Sequence, residues 1–318
     1  MSSGKDEPGT AVIAAPPSRR SPLRFVAAAA SYPLLFAPFW RRSWLHQMGR
    51  CLVLVLYIYV ALLIALLVLE DHFLYHAALA SESWTPPPAG VAVEDVALRT
   101  ADGTAIHGWW SVPDGWTPER GAVLYCHGNA DNLSHWGSEI PIWQARLGAG
   151  VLFFDYPGFG KSGGAVSEAG CYAAADAACD WLTQEKAIPG RRVVIVGRSL
   201  GTGPATDLAS RRPCRALILF SPFTSFPDLA QEKYPMFPGR WLVHNRYDNL
   251  RKITACRCPI FIAHGTADAL IPFHHGQQLF AAAAAPKRFH AMPGLNHEEP
   301  PDAAFYDDVK AFLKEAAP

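Results

Sequence analysis

The chain has 318 residues, 50% of them hydrophobic, 18% charged and 12% aromatic, which is enough apolar area to offset chain entropy and excludes a disordered or fibrous protein. Twenty-eight Lys+Arg balance twenty-eight Asp+Glu, so a general electrostatic footprint for nucleic acid is missing. Seven cysteines, none in a CxxC pair, argue against a disulfide scaffold and against a structural zinc site.

Residues 1–50 carry Pro8, Pro16, Pro17 and Pro22 among Ser and Gly, then an apolar run broken by Pro33 and Pro38. The first part has few groups to pack and is expected to be partly disordered. Cys51 to Leu69 follows, nineteen residues without a charge. As a helix rising about 1.5 Å per residue it matches the hydrocarbon thickness of a bilayer. A buried core helix would show a polar stripe. A cleaved signal peptide would have a shorter basic region and a shorter apolar run. The stretch is therefore read as one transmembrane helix. Arg41, Arg42 and Arg50 precede it, and Glu70 and Asp71 follow. That asymmetry is expected to keep the N-terminal side in the cytoplasm and put residues 70–318 outside, which would be the periplasm if the chain is bacterial. Whether residues 25–40 lie at the membrane interface or enter it, the placement of the rest is the same.

Residues 70–90 end in Trp84-Thr-Pro-Pro-Pro-Ala-Gly90 and read as a stiff Pro-rich linker. Strands are then expected at 91–98, 105–110, 122–127, 151–155, 193–197, 216–221, 259–264 and 288–292. Helices are expected at 133–147, 167–186, 203–211, 273–285 and 302–315. Short apolar strands separated by helices predict an α/β domain over 91–318, with a mostly parallel sheet of eight strands covered on both faces.

Glycine-rich matches compete for the chemistry. Gly158-Phe-Gly160-Lys-Ser-Gly163 fits a dinucleotide fingerprint in letters only, because no helix opens at its last glycine. The same stretch gives a formal G-x-S-x-G at Ser162, without a strand directly before it or a helix directly after. Gly197-Arg-Ser199-Leu-Gly201 has both: Val193–Val196 run into it, and Thr202 to Ala209 read as helix. Ser199 is therefore the candidate nucleophile, projected from a sharp strand-to-helix turn. A serine hydroxyl needs a base, and the base an orienting acid. Asp268 falls in the loop after strand 259–264, and His297 in the loop after strand 288–292. Both loops lie at the carboxyl ends of strands, where sites of such sheets gather. The oxyanion donors are expected to be the backbone N–H groups of Leu200, next to the nucleophile, and Asn129, in the loop after strand 122–127. His127 reads as a structural residue of that loop. His264, His274, His275 and His290 show no metal-binding spacing, so no metal is expected.

Together His127-Gly-Asn-Ala130, Asp155-Tyr-Pro-Gly-Phe-Gly-Lys-Ser162, Gly197-Arg-Ser-Leu-Gly201, Ser221-Pro-Phe-Thr224, Arg246-Tyr-Asp248 and His264-Gly-Thr-Ala-Asp268 resemble the serine hydrolases of the α/β-hydrolase fold. The likeness covers about residues 91–315. It is similar to the branch that contains eukaryotic depalmitoylating enzymes, lysophospholipid hydrolases and bacterial members of unknown substrate. The resemblance implies Ser199 as nucleophile, Asp268 as acid, His297 as base and Gly128-Asn129 as oxyanion loop. It also implies ester or thioester hydrolysis through an acyl-enzyme, with no cofactor.

Residues 222–252 replace a simple crossover and are expected to form a short cap. Their Phe223, Phe226, Tyr234 and Trp241 are candidate contacts for an acyl chain, since such pockets are mostly hydrophobic. The reading is a membrane-anchored hydrolase of lipid or acylated substrates. An acyltransferase or peptidase on the same three residues, and a non-catalytic scaffold on the same fold, are the alternatives.

Overall fold

The computed structural model describes residues 43–284 and 286–316. The expectations for the N-terminal segment, including residues 25–40 and the charges Arg41 and Arg42, lie outside the described residues. The chain divides into two compact units, 1–62 and 63–318.

Helix α1, Trp44–Val68, has 25 residues, none of them buried, and its most apolar window has a mean hydropathy of 3.1. It is long and apolar enough to cross a membrane. It starts seven residues before the predicted Cys51, because the polar Trp44–Arg50 turns continue the same helical hydrogen bonding. It stops one residue earlier than predicted, at Val68, where Leu69 leaves helical geometry (φ −105°, ψ 12°).

In the second unit a short helix α2, Glu70–Leu74, precedes the sheet. The strands are β1 Glu94–Arg99, β2 Ala105–Ser111, β3 Ala122–Cys126, β4 Gly150–Phe154, β5 Val193–Arg198, β6 Ala216–Phe220, β7 Ile260–Gly265 and β8 Lys287–Met292. They form one eight-stranded sheet in the order β1-β2-β4-β3-β5-β6-β7-β8. β1 and β2 pair antiparallel, β2 meets β4 antiparallel, and every pairing from β4 to β8 is parallel. The predicted α/β-hydrolase architecture is therefore present.

The sheet is covered on both faces, and β3 shows why its sequence is apolar throughout. Ala122, Leu124 and Cys126 join one core cluster, while Val123 and Tyr125 join the other, as the two-residue period of a strand requires. Cys171 and Ala174 of α4 (Glu168–Asp180), Leu208 of α5 (Thr202–Arg211) and Leu279 of α9 (His274–Ala282) belong to the first cluster. Trp143 of α3 (Glu139–Leu147) and Val309 and Phe312 of α10 (Ala303–Glu315) belong to the second. Ser167 caps α4 by accepting from the Gly170 N–H, and Asp302 caps α10 by accepting from the Phe305 N–H.

Three expectations change in detail. The single helix expected over 133–147 is a 3₁₀ turn, Leu133–Trp136, followed by α3. The break falls at Gly137, which approaches Trp109 so closely that a Cβ there would lie 3.0 Å from the ring. The cap of 222–252 is three short helices: α6 Phe226–Lys233, α7 Gly239–Leu242 and α8 Asn249–Ile253. The stretch 70–90, read as a spacer, lies along the domain. Its Ala77 and Leu79 bridge to Asp131 and Gly160, and the Trp84 ring packs edge-on to Trp109 at 5.4 Å. The segment has partners on the body that local composition does not reveal.

Candidate active site

β5 delivers Arg198 in extended geometry, and Ser199 then takes φ +50° before a 3₁₀ turn leads into α5. The left-handed conformation costs a residue with a Cβ about 1–2 kcal/mol. Two close approaches hold the turn. A Cβ on Gly197 would lie 2.6 Å from the Gly201 carbonyl oxygen, and one on Gly201 would lie 2.0 Å from that of Cys126. Only glycines let the bend sit this tightly against the end of β3.

The structure brings Ser199, His297 and Asp268 together. Ser199 Oγ lies 2.9 Å from His297 Nε2, and His297 Nδ1 lies 2.8 Å from Asp268 Oδ2. With Nδ1–H donating to the carboxylate, Nε2 is left as the acceptor facing the hydroxyl. Such a chain can take a proton from an attacking alcohol and hold the resulting imidazolium beside a carboxylate. Both Asp268 and His297 are buried.

Burial alone would raise the Asp268 carboxyl. Hydrogen bonds from His264, His297 and the Ile271 N–H outweigh it and hold the group well below the usual carboxylate range. Asp268 Oδ1 accepts from the N–H groups of Leu270 at 3.0 Å and Ile271 at 2.7 Å. A depressed folded value contributes stability above the unfolded carboxylate value of about 3.9, and this is lost as pH falls through the folded one. Asp268→Asn removes that link, so its acid unfolding is expected to be shallower than the wild type's below about pH 4, read by circular dichroism. The same variant is expected to lower kcat by about 10³- to 10⁴-fold with little change in KM, because the amide can hold the wrong imidazole tautomer.

Four supporting residues had no signal of this role in the sequence. Asn296 Oδ1 accepts from the N–H groups of both Ala269 and His297, joining the acid loop to the histidine loop. Arg198 Nη2 donates to the carbonyls of His297 and Glu299, with its guanidinium stacked over Trp136 and Phe220. His264, considered in the sequence only as a metal ligand, donates through Nε2 to the Ile271 carbonyl at 2.8 Å, and the same nitrogen lies 3.4 Å from Asp268 Oδ2. His275 accepts at Nδ1 from the Thr224 N–H, so its neutral ring carries its proton on Nε2. That nitrogen faces Glu232, as does His274 Nε2. His275 Nε2 thus donates to the Glu232 carboxylate at 3.2 Å and ties α9 to α6, with His274 beside the same carboxylate.

The competing serine has a different place. Ser162 is buried, and its Oγ accepts from the His107 N–H at 3.0 Å. His127 is fully buried, donates through Nδ1 to the Gly128 carbonyl, and stacks on Trp136. Burial pushes the Cys126 thiol far up, leaving it a poor nucleophile.

Ser199, Leu200, Gly128, Asn129 and His297 open on one cavity of about 840 Å³. Phe223, Phe226 and Tyr234 line it, together with Phe73 and Leu74 from the segment read as a linker. Trp241 does not. It is 88% exposed on α7 and lies outside the lining, which corrects its assignment as a substrate contact. The neighbouring Gly239 explains the geometry: a Cβ there would lie 2.8 Å from the Gln231 backbone nitrogen, so α7 packs on α6 through its glycine.

Comparison with known proteins agrees with the fold. The sequence profile of the family described as alpha/beta hydrolase fold matches residues 121–242. An uncharacterized protein of Mycobacterium tuberculosis is 36% identical over 233 residues, spanning 72% of this chain and 81% of the relative. This chain belongs to the alpha/beta hydrolase fold family. The uncharacterized protein YfhR of Escherichia coli K12 is 32% identical over 215 residues, 65% of this chain and 74% of that protein. Among solved structures, the Pyrococcus furiosus esterase Pf2001 superposes with a TM-score of 0.60 at 18% identity, covering 76% of this chain and 97% of the esterase. An acetyl xylan esterase from Paenibacillus sp. R4 gives 0.60 at 19% identity, covering 74% and 87%. These two esterase structures share the fold of this chain.

Proposed function

We propose that the chain is a membrane-anchored serine hydrolase that cleaves carboxylic ester or thioester bonds of lipid or acylated substrates. The observation that carries this reading is the hydrogen-bonded line from Asp268 through His297 to Ser199 at the wall of the 840 Å³ cavity. The esterases among the structures of the same fold support it.

In this reading Ser199 Oγ attacks the acyl carbonyl carbon while His297 Nε2 takes the hydroxyl proton. The N–H groups of Leu200 and Asn129 stabilise the oxyanion. His297 returns its proton to the leaving alcohol or thiol, leaving an acyl-Ser199. Water then attacks the acyl carbon as His297 Nε2 takes its proton, and that proton passes to Ser199 Oγ as the C–Oγ bond breaks and the carboxylic acid departs. No metal or organic cofactor takes part in these steps.

Phe223, Phe226 and Tyr234 line the cavity and supply apolar surface for the acyl chain. Helix α1 supplies the anchor. Arg50 before its apolar run and Glu70 and Asp71 after it support a cytoplasmic N-terminal side and an extracytoplasmic hydrolase domain.

The test is a series of p-nitrophenyl esters with the full chain in detergent. Each fully buried methylene contributes about 0.8 kcal/mol, so the four extra methylenes of an octanoyl ester are expected to raise kcat/KM over the butanoyl ester by up to about 200-fold, and by about 10-fold if only half of that area is buried. A flat profile from acetyl to octanoyl would remove the acyl-chain assignment, and no turnover of any ester or thioester would remove the hydrolase reading.

A further inference from the structure

The segment between α1 and the sheet touches the site at two places. At its start, the Glu70 carboxylate accepts from the backbone N–H groups of His244 (2.9 Å) and Asn245 (2.8 Å) and from the Asn245 side-chain amide (2.9 Å). Burial would raise this carboxyl, but those hydrogen bonds lower it, so the clamp is ionised and intact at neutral pH. Tyr75, buried, places its hydroxyl 2.9 Å from that of Tyr247 and donates to Asn245 Oδ1 at 2.8 Å. The cap's return loop, 243–247, therefore holds the segment from one side.

Farther along, the same segment grips the loop that follows β3. Asn129 Nδ2 donates to the Leu74 carbonyl at 2.7 Å, and Asn129 Oδ1 accepts from the His76 N–H at 3.0 Å. Ala78 N–H donates to the Asp131 carbonyl, and Asn132 Nδ2 donates to the carbonyls of Ala78 and Ser83. Ala130 and Asp131 have φ of 67° and 59°, a left-handed pair that side chains disfavour. A loop strained in this way needs outside contacts to persist. In the same stretch Phe73, Leu74 and His76 line the cavity.

We propose that residues 70–80 form a positioning strap that sets the oxyanion loop through the Asn129 side chain and completes the acyl pocket, with Glu70 as the clasp holding the strap. This rests on the reading of Ser199 as nucleophile and extends it: Asn129 acts twice, its N–H facing the oxyanion and its side-chain amide reading whether the strap is docked. Neither Glu70 nor the Asn129 side chain is a catalytic residue in this account. Both act through the backbone they hold.

The experiment compares wild type, Asn129→Ala, Glu70→Ala and Glu70→Gln as full chains in detergent. Each is assayed with butanoyl ester and with a trifluoromethyl ketone that forms a tetrahedral adduct on the serine. Asn129→Ala keeps the backbone N–H but loses both strap bonds. Its kcat is expected to fall about 10- to 100-fold with KM within about threefold, and ketone affinity to fall in parallel, since both report oxyanion stabilisation. Glu70→Ala is expected to show the same pattern at smaller size, and Glu70→Gln, which keeps one acceptor oxygen, to recover part of the loss. Unchanged kcat and ketone affinity in both Asn129→Ala and Glu70→Ala, with wild type active, would overturn the strap while leaving the serine mechanism standing. Wild type inert toward both reagents would overturn the mechanism itself. Should Asn129→Ala fail to fold, the two Glu70 variants decide: kcat falling in the alanine and recovering in the glutamine supports the strap, and equal kcat in all three rejects it.

Discussion

Ser199→Ala is expected to lower kcat/KM for carboxylic esters by about 10⁴- to 10⁶-fold, equivalent to about 5–8 kcal/mol of lost transition-state stabilisation. The variant keeps the cavity, the His297–Asp268 pair and the loops, but loses the atom proposed to form the covalent bond. Its stability should be close to wild type, because the hydroxyl's one bond in the site is to His297 Nε2. Ser199→Gly makes a sharper comparison. It is equally inactive but relieves the φ of +50°, and should be more stable than Ser199→Ala by about 1 kcal/mol. For a domain of this size that is a rise of about 2–4 °C in Tm. Inactive variants with this order of melting temperatures agree with a strained nucleophile turn. A Ser199→Ala chain with a tenth of wild-type activity would place the chemistry elsewhere.

Gly201→Ala carries the second large effect, this time on the scaffold. The added Cβ would lie 2.0 Å from the Cys126 carbonyl oxygen and 2.5 Å from that of His127. These are backbone atoms at the end of β3, which β5 holds in parallel register, so neither side can turn away as a flexible side chain would. Relief requires the serine turn and the loop after β3 to separate. The expected cost is about 3 kcal/mol, at the upper end for overpacking, or a fall of about 6–12 °C in Tm. Activity should fall with it, because the two halves of the site are pushed apart. Gly163→Ala is the control: its nearest neighbour would be 3.7 Å away, and its φ is not in the left-handed region. It should stay within about 0.5 kcal/mol of wild type. Equal melting temperatures for the two variants would contradict the close approach at Gly201.

The sequence was informative where local pattern and burial coincide. The strands from β3 to β7 are apolar along nearly their whole length and bounded by glycine, proline or polar residues, so their positions could be read to within a residue or two. The place of Ser199 could be read because a strand and a helix flank it directly, which Ser162 lacks. Asp268 and His297 could be read from their loops, each directly after a strand. The strap could not. Its grips pair Glu70 with Asn245 and Leu74 with Asn129, partners 175 and 55 residues apart, and its Pro-rich end speaks only for backbone stiffness. Asn296, Arg198 and His264 escaped for the same reason, since each acts through a backbone group or side chain brought near by the fold. Trp241 failed in the opposite way. Aromatic character in a cap suggested a pocket contact, but the packing of Gly239 on α6 leaves the indole outside the cavity.

The hydroxyl at position 199, activated by an imidazole that Asp268 orients, is the centre of the account, and a fluorophosphonate tests it most directly. The purified full chain in detergent is treated with the reagent, digested and mapped by mass spectrometry. The account predicts one phosphonylated peptide, carrying the adduct on Ser199, with labelling abolished in Ser199→Ala and strongly slowed in Asp268→Asn. An adduct on another residue, or undiminished labelling of the Ser199→Ala chain, would contradict it.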